Sequence, residues 1–241
     1  MNTNFNNKLP TNFESDWLPS DSRENFKKNL KLNPELLKKL GWTGKNIMYK
    51  TDKYGFRNDA DFSDDYYNLA LGCSNTFGIG VNEQDVWYNH LKKHFSEPFY
   101  NAGIPGGSLG GCYRSLTGLL NEGMKVKRIF MFIPSKERYE VYNTVESIWT
   151  PVAWWTDHSN NIKKYLLNDE SLDKFRQVHM LAIKHICYEN NIEIVDLDFE
   201  DNYEVCNCKS ARDLSHPGIE THKLIGKMFY DEYSKRYNSK N

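Results

Sequence analysis

A serine in a glycine-rich turn is the first residue of this sequence that suggests chemistry. Residues 72–80 read GCSNTFGIG and follow directly on the apolar run Tyr66–Leu71. A short apolar run that ends in glycine is typical of a buried strand breaking into a turn. Ser74 would lie there on a rigid edge, with backbone N–H groups placed to stabilise a developing negative charge. Two alternatives are ordinary turn chemistry and Cys73 as the nucleophile, although Cys73 is better interpreted as a small buried residue.

A general base for this serine is predicted near the C-terminus. Residues 213–217 read DLSHP, so Asp213 stands three positions before His216. At that distance the carboxylate can orient the imidazole ring, which is the part an acid plays beside a general base. Pro217 suits the first turn of a following helix. The alternative is that Asp213 or Ser215 caps that helix and His216 has no chemical role.

A second glycine-rich segment, residues 101–108, reads NAGIPGGS. It separates a predicted strand from a predicted helix, and the N-terminus of a helix offers partly positive N–H groups to an anion. A phosphate-binding loop is one alternative. The segment, however, has no Gly-Lys-Ser/Thr sequence, and its spacing does not fit a dinucleotide fingerprint.

The elements that must position these residues alternate along the chain. Strands are predicted at Tyr66–Leu71, Phe99–Asn101, Arg128–Ile133 and Ile192–Leu197, and helices at about 21–41 (split at Pro34), 83–95, 109–119, 170–190 and 217–235. Strands that alternate with helices, some of them apolar on both faces, favour a parallel sheet covered on both sides. In such a sheet the carboxyl ends of the strands form one edge, where ligands bind. Ser74 and Gly106 are expected at that edge.

Composition excludes several classes of function. The chain has 241 residues, a net charge of −1 and no basic block, so a nucleic-acid partner is not expected. No apolar run reaches the roughly 20 residues that a membrane span needs. The polar start of the chain does not resemble a signal peptide, and the five cysteines are odd in number, so we expect reduced thiols and a cytoplasmic location. His90 and His94 have a spacing that can bind metal but lack a third ligand, so no metal site is predicted.

Together, the three segments resemble the SGNH/GDSL-type hydrolases. Residues 72–78 (GCSNTFG) are similar to the nucleophile block of that family, with cysteine where aspartate is usual. Residues 101–106 (NAGIPG) are similar to its second block, and residues 213–217 match the final block, which carries the acid and the base. Residues 54–57 (YGFR) are similar to a segment often found upstream of the serine. The resemblance covers roughly residues 50–235.

The resemblance implies a fold and a set of roles. The fold is a three-layer α/β/α domain of flavodoxin-like type with a central, mainly parallel sheet over residues 50–241, preceded by an N-terminal arm and helical extension over residues 1–49. Ser74 would be the nucleophile, Asp213 and His216 the acid and base, and the backbone N–H groups of Ser74 and Gly106 the oxyanion donors. No metal or organic cofactor is needed.

The third block of the family is where this chain departs from the pattern. After the third strand the family has Gly-x-Asn-Asp, whose Asn donates to the oxyanion, whereas residues 133–138 read IPSKER here. Loss of one oxyanion donor commonly costs about a hundredfold to a thousandfold in rate. Ser135, Lys136 and Arg138 are the candidate replacements, although a solvated charged loop is an alternative interpretation. With Gly106 and Asn101, Lys136 and Arg138 complete the predicted oxyanion and substrate-binding set.

The function predicted is hydrolysis of esters, as on acyl or acetyl groups of a carbohydrate or small lipid. The segment 139–165 contains Trp149, Trp154 and Trp155, whose rings would cover the substrate or, alternatively, cap the core or contact a subunit. One rival function is a degenerate relative that binds a glycan or a protein without hydrolysis. The other is a phage or virion-associated protein in which residues 1–45 form an oligomer or assembly contact.

Overall fold

The structure is a computed structural model that describes residues 10–206 and 208–238. Residues 1–9 of the predicted N-terminal arm therefore lie outside the described residues. Within the described ranges, no helix has the length and apolar character needed to cross a membrane. Nor does any group of three or more His, Cys, Asp or Glu side chains in those ranges come together as a metal site.

The described residues form eight strands and eight α-helices. The strands are β1 (Glu14–Ser15), β2 (Tyr49–Lys50), β3 (Tyr66–Gly72), β4 (Phe99–Gly103), β5 (Lys125–Ile133), β6 (Tyr139–Asn143), β7 (Ile148–Val152) and β8 (Glu193–Asp198). The helices are α1 (Arg23–Leu32), α2 (Pro34–Lys39), α3 (Ser74–Phe77), α4 (Leu109–Asn121), α5 (Asn160–Leu166), α6 (Asp169–Glu189), α7 (Tyr203–Cys206) and α8 (Ile219–Tyr233), which a π-helical turn extends over Ser234–Asn238.

Four parallel strands form the central sheet, in the order β4-β3-β5-β8. Because side chains alternate between the two faces of a strand, the two middle strands must be apolar on both. Leu69 and Ile129 pack on the face covered by α4 and α6, and Ala70 and Phe130 pack on the face covered by α8. The predicted three-layer α/β/α fold with a parallel sheet is confirmed.

The segment after α3 differs from the prediction. A helix was expected over 83–95, but the chain forms three short 3-10 turns, Glu83–Asp85, Trp87–His90 and Lys92–His94. Val86, Trp87 and Tyr88 are all buried. Three successive buried side chains cannot share one face of an α-helix, so the chain is extended at Val86 and buries them separately.

Two further segments complete the molecule. The tryptophan-containing segment after β5 forms an antiparallel hairpin of β6 and β7, followed by α5. At the other end of the chain, β1 pairs with β2, and Leu18, Leu37 and Trp42 are buried in the same cluster as Phe130 of the sheet. The described part of the N-terminal extension therefore packs on the central core.

A buried histidine on α8 predicts how the stability of the fold depends on pH. His222 is fully buried, and its Nδ1 accepts a hydrogen bond from the Trp87 N–H at 3.3 Å. Burial, reinforced by the charges of His90, His216 and Arg57, lowers its pKa from 6.5 to about 3. Below pH 6.5 the unfolded chain therefore binds a proton at His222, whereas the folded chain leaves this imidazole neutral until the pH approaches 3. The contribution of neutral His222 to the free energy of unfolding should be fully present above pH 6.5, and the free energy of unfolding should fall by about 2 kcal/mol by pH 5.

Urea unfolding of His222→Asn between pH 7.5 and 5 tests this expectation. Asparagine keeps an acceptor for the Trp87 N–H but does not titrate, so its stability should vary less with pH than that of the wild type, although a cavity lowers it overall. His185→Asn, on the exposed side of α6, is the matched control and should keep the wild-type slope. Equal slopes for His222→Asn and the wild type would contradict the expectation.

Candidate active site

Ser74 is the first residue of the short helix α3, directly beyond the carboxyl end of β3. It is 5% exposed. The turn that precedes it requires glycine, because a Cβ atom on Gly72 would lie 2.2 Å from Thr76 Oγ1 and 2.8 Å from the Phe132 carbonyl oxygen. Thr76 Oγ1 donates to the Leu71 carbonyl oxygen and accepts from the Trp87 indole N–H, each at 3.3 Å. Ser74 is thus held at the carboxyl end of β3, at the edge of the sheet.

Arg57 fixes the far end of this turn. Its guanidinium is fully buried and donates to the carbonyl oxygens of Phe77, Gly78 and Val81 at 3.2, 2.5 and 3.0 Å. The helix α3 ends at Gly78 in the left-handed conformation (φ 83°), which leaves carbonyl groups that an arginine fork can satisfy. The sequence analysis identified the segment 54–57 but assigned Arg57 no role, and its polar neighbours Asn58 and Asp59 give no sign that its guanidinium is buried.

Asp213 and His216 form a directly bonded pair. The Nδ1 atom of His216 lies 2.6 Å from Asp213 Oδ2, and Asp213 Oδ1 accepts the backbone N–H groups of Ser215 and His216 at 3.0 and 3.1 Å. A carboxylate only accepts, so the proton is assigned to Nδ1, which leaves the Nε2 lone pair of neutral His216 to act as a base. The Asp213 side chain is 1% exposed and that of His216 is 19% exposed. The imidazole ring of His216 is therefore partly accessible to solvent, whereas the carboxylate that orients it is buried.

The loop that carries this pair rests on the end of the nucleophile turn. The Arg212 N–H donates to the Gly80 carbonyl oxygen at 3.0 Å, and a Cβ atom on Gly80 would lie 3.2 Å from Asp213 Oδ1. Gly80 in turn follows Ile79, whose N–H donates to the Ser74 carbonyl oxygen at 3.2 Å. Within the described ranges, Ser74 Oγ makes no hydrogen bond to His216. Such bonds are often long in unliganded enzymes and shorten only when substrate is bound.

The second glycine-rich loop is attached to the same turn. The Ile104 N–H donates to the Gly72 carbonyl oxygen at 3.0 Å. Asn101 is fully buried, accepts the Gly103 N–H at 2.9 Å and donates to the Phe77 carbonyl oxygen at 3.5 Å. Its amide is therefore engaged with backbone groups and joins the two loops.

Two backbone donors of these loops are unengaged. Gly106 has a φ of +72°, a left-handed conformation that favours glycine. Among the residues that the structure describes, neither the Ser74 N–H nor the Gly106 N–H donates a hydrogen bond. These are the two groups for which an oxyanion role was predicted.

The segment after β5 sends one of its two predicted cations to the second loop. Arg138 Nη1 lies 3.4 Å from the Gly107 carbonyl oxygen, and its guanidinium carbon lies 5.3 Å from the centre of the Trp155 ring. Arg138 Nε is buried and has no hydrogen-bond partner in the described structure. Lys136 is exposed and is bonded through its backbone N–H to Glu200 at 3.2 Å. The structure therefore associates Arg138, rather than Lys136, with the Gly106–Gly107 loop.

The solved structures to which this chain is similar include a lipolytic protein and an esterase. One is a member of the lipolytic protein G-D-S-L family from Veillonella parvula DSM 2008, at 16% identity and a TM-score of 0.36 over 72% of this chain and 98% of that chain. Another is the psychrotrophic esterase EstA from Pseudoalteromonas sp., in a structure inhibited by monoethylphosphonate, at 16% identity and a TM-score of 0.39 over 72% of this chain and 99% of that chain. No protein-family model matches the sequence. No curated protein matches it significantly.

Proposed function

We propose that this protein is a serine hydrolase that cleaves carboxylic esters with Ser74, His216 and Asp213. The observation that carries the proposal is the bonded Asp213–His216 pair, whose loop contacts the end of the Ser74 turn through Gly80. A carboxylate, an imidazole with an available Nε2 and a serine on a rigid turn are the three parts of a catalytic triad. The two unengaged N–H groups of Ser74 and Gly106 supply the fourth requirement, donors for an oxyanion.

The reaction follows from these roles. Ser74 Oγ attacks the ester carbonyl carbon while its proton passes to His216 Nε2, and Asp213 stabilises the imidazolium that forms. The tetrahedral oxyanion receives hydrogen bonds from the Ser74 and Gly106 N–H groups. When the C–O bond to the leaving alcohol breaks, His216 returns the proton to that alcohol. Water then attacks the acyl-enzyme by the same route and releases the carboxylic acid.

Arg138 is our candidate for the donor that the third block lacks. Its bond to the Gly107 carbonyl places a permanent cation beside the predicted oxyanion loop, and its Nε retains an unused N–H. A cation near a developing negative charge stabilises the transition state more than the ground state. In this proposal Asn101 positions the second loop, and Lys136 flanks the site.

Replacing Arg138 by glutamine should lower kcat about tenfold to a hundredfold, with a smaller change in KM, because the lost interaction strengthens as charge develops. Arg138→Lys keeps the charge without the planar fork and should lose less. Steady-state hydrolysis of a short-chain ester is the measurement, and Lys174→Gln, which removes an exposed charge on α6, is the control. Wild-type kcat in Arg138→Gln would remove Arg138 from the site.

The substrate class that we propose is an acyl or acetyl ester of a carbohydrate or small lipid. Trp155 lies against Arg138 and is 60% exposed, and Trp154 is 50% exposed. Exposed indole faces beside a hydrolytic site can stack on sugar rings. A separate cleft of about 340 Å³ between α4, the β6–β7 hairpin and α6 is lined by Tyr139, Trp149 and Phe175. A volume of that size can hold a small ligand.

A fluorophosphonate probe tests the proposal directly, because it labels only an activated serine. The wild-type chain should take up one label per molecule, at Ser74, with displacement of fluoride from phosphorus. A wild-type chain that neither labels nor hydrolyses any of a panel of acetyl, butyryl and octanoyl esters would favour the alternative function, a non-hydrolytic binding protein. The absent third-block asparagine is the observation that supports this alternative.

A further inference from the structure

The N-terminal extension contacts the loop that carries the candidate acid and base. We define the N-terminal strap as residues 10–45 and the acid–base loop as residues 209–217. We infer that the N-terminal strap is a positioning element of the active site, which holds the Asp213–His216 pair in register with Ser74 through the side chains of Asn29, Asp21 and Trp42. This inference rests on the proposed function and assigns a part of the molecule to it.

The hydrogen bonds within the acid–base loop shape it but do not by themselves fix its position relative to Ser74. The Ser215 and His216 N–H groups donate to Asp213 Oδ1, which orients the carboxylate only within the loop. Leu214, which lies between Asp213 and Ser215, has a φ of +53°. A non-glycine residue in the left-handed region is strained and persists where its surroundings hold it. The external contacts of the loop therefore decide where His216 stands.

The first of these contacts falls on Asp213 itself. Asn29, on α1, donates its side-chain amide to the Asp213 carbonyl oxygen at 2.9 Å, over a separation of 184 residues. Asn29 is half-buried, which shields the bond from competing water. Its backbone carbonyl separately accepts the Asn33 N–H at the end of the helix. A change of the Asn29 side chain would therefore remove the contact to Asp213 while leaving the helix bond.

The second contact is a buried ion pair next to Asp213. Arg212 donates through Nη2 and Nε to Asp21 at 2.7 and 3.1 Å, and both side chains are at most 2% exposed. The Tyr49 hydroxyl donates to Asp21 Oδ2 at 2.5 Å and accepts the Gly80 N–H at 2.8 Å. Because the Arg212 N–H donates to the Gly80 carbonyl, these bonds close a ring. The ring joins the N-terminal strap, the acid–base loop and the end of the Ser74 turn.

The third contact lies at the start of the acid–base loop. The indole N–H of Trp42 donates to the Ser210 carbonyl oxygen at 2.8 Å. Ser210 is bonded in turn to the far side of the loop, since its N–H donates to the His216 carbonyl oxygen at 3.0 Å. Contacts at Ser210, Arg212 and Asp213 thus hold the acid–base loop at three points along its length. The assembly role predicted for residues 1–45 remains a separate, untested prediction.

Asn29 offers the sharpest test, because its side chain can be changed without opening the core. Asn29→Ala removes the donor, and the isosteric Asn29→Asp replaces it by a group that can only accept. Asn25→Ala is the matched control, since in the described structure the Asn25 side-chain amide donates to the Ser20 carbonyl oxygen, just before the same helix, and not to the acid–base loop. In both Asn29 variants kcat for a short-chain ester should fall about tenfold with KM within about twofold, whereas Asn25→Ala should stay within about twofold of the wild type. Thermal unfolding must show all variants folded at the assay temperature.

A second measurement does not depend on hydrolysis. The Nδ1 proton of His216, in its short bond to Asp213, should give a downfield NMR signal that disappears in His216→Gln. We expect that signal to shift or broaden in both Asn29 variants and to be unchanged in Asn25→Ala. If the wild type hydrolyses no ester and takes up no probe, the proposed function fails and the NMR comparison alone decides the inference. An unchanged His216 signal, or wild-type kcat in Asn29→Ala and Asn29→Asp, would overturn it.

Discussion

Replacing Ser74 by alanine should reduce ester hydrolysis by at least about a thousandfold, because in the proposed mechanism the Ser74 hydroxyl forms the acyl-enzyme. The methyl group fits where the hydroxyl stood, and Ser74 makes no side-chain hydrogen bond in the described structure that the change would break. The free energy of unfolding should therefore change little. The residual rate would come from binding and from the N–H donors of the two glycine-rich loops, which do not need the nucleophile. Initial rates on a short-chain ester and fluorophosphonate labelling measure the two effects.

Two control variants distinguish the loss of Ser74 from the loss of any other serine or of the neighbouring thiol. Ser171→Ala removes a serine from the first turn of α6 and should keep wild-type activity and labelling. Cys73→Ala removes the rival nucleophile, a free thiol that is 1% exposed, and should still be labelled at Ser74. Labelling of Ser74→Ala at the wild-type rate would assign the reaction to another residue.

The local parts of the site could be predicted because their signals are local. The turn at Ser74 follows from an apolar run that ends in glycine, and the three-residue spacing of Asp213 and His216 is enough for a direct bond. The alternation of strands and helices also led to the parallel sheet, since each strand needs a crossover helix to return. Pro34 was expected to split the first helix, and α2 begins there.

The remaining parts depend on contacts between distant residues, which have no periodic signature. Val86 is extended because three successive side chains have to be buried, so the helix period expected over 83–95 does not form. The hydrogen bond from the Asn29 side chain to the Asp213 carbonyl joins residues 184 positions apart. No pattern in residues 23–32 predicts it. Arg57 belongs to a short motif in the sequence, but three of its four carbonyl acceptors lie 20 to 24 residues further along the chain. Contacts of this kind can be identified only in the folded structure.

Replacing Asp213 by asparagine should lower kcat about a thousandfold to ten-thousandfold at neutral pH while leaving the fold intact, because the change inverts the tautomer of His216. The asparagine oxygen can still accept the Ser215 and His216 N–H groups that Oδ1 accepts now. Its NH₂ group then takes the place of Oδ2 and donates to His216 Nδ1. The imidazole proton moves to Nε2, which can no longer accept the proton of Ser74. His216→Gln, which has no base at all, should lose at least as much.

Thermal unfolding and fluorophosphonate labelling should give opposite results for Asp213→Asn and His216→Gln: unchanged stability and much slower labelling. Both variants should unfold at nearly the wild-type temperature, since the loop keeps its backbone bonds and its contacts to Asn29 and Trp42. Both should react slowly with the fluorophosphonate, because Ser74 keeps its place but loses the base that activates it. Asp201→Asn, on the exposed loop after β8, is the matched control and should behave as the wild type. Full activity in Asp213→Asn would show that His216 needs no carboxylate, and full activity in His216→Gln would require a different base for Ser74.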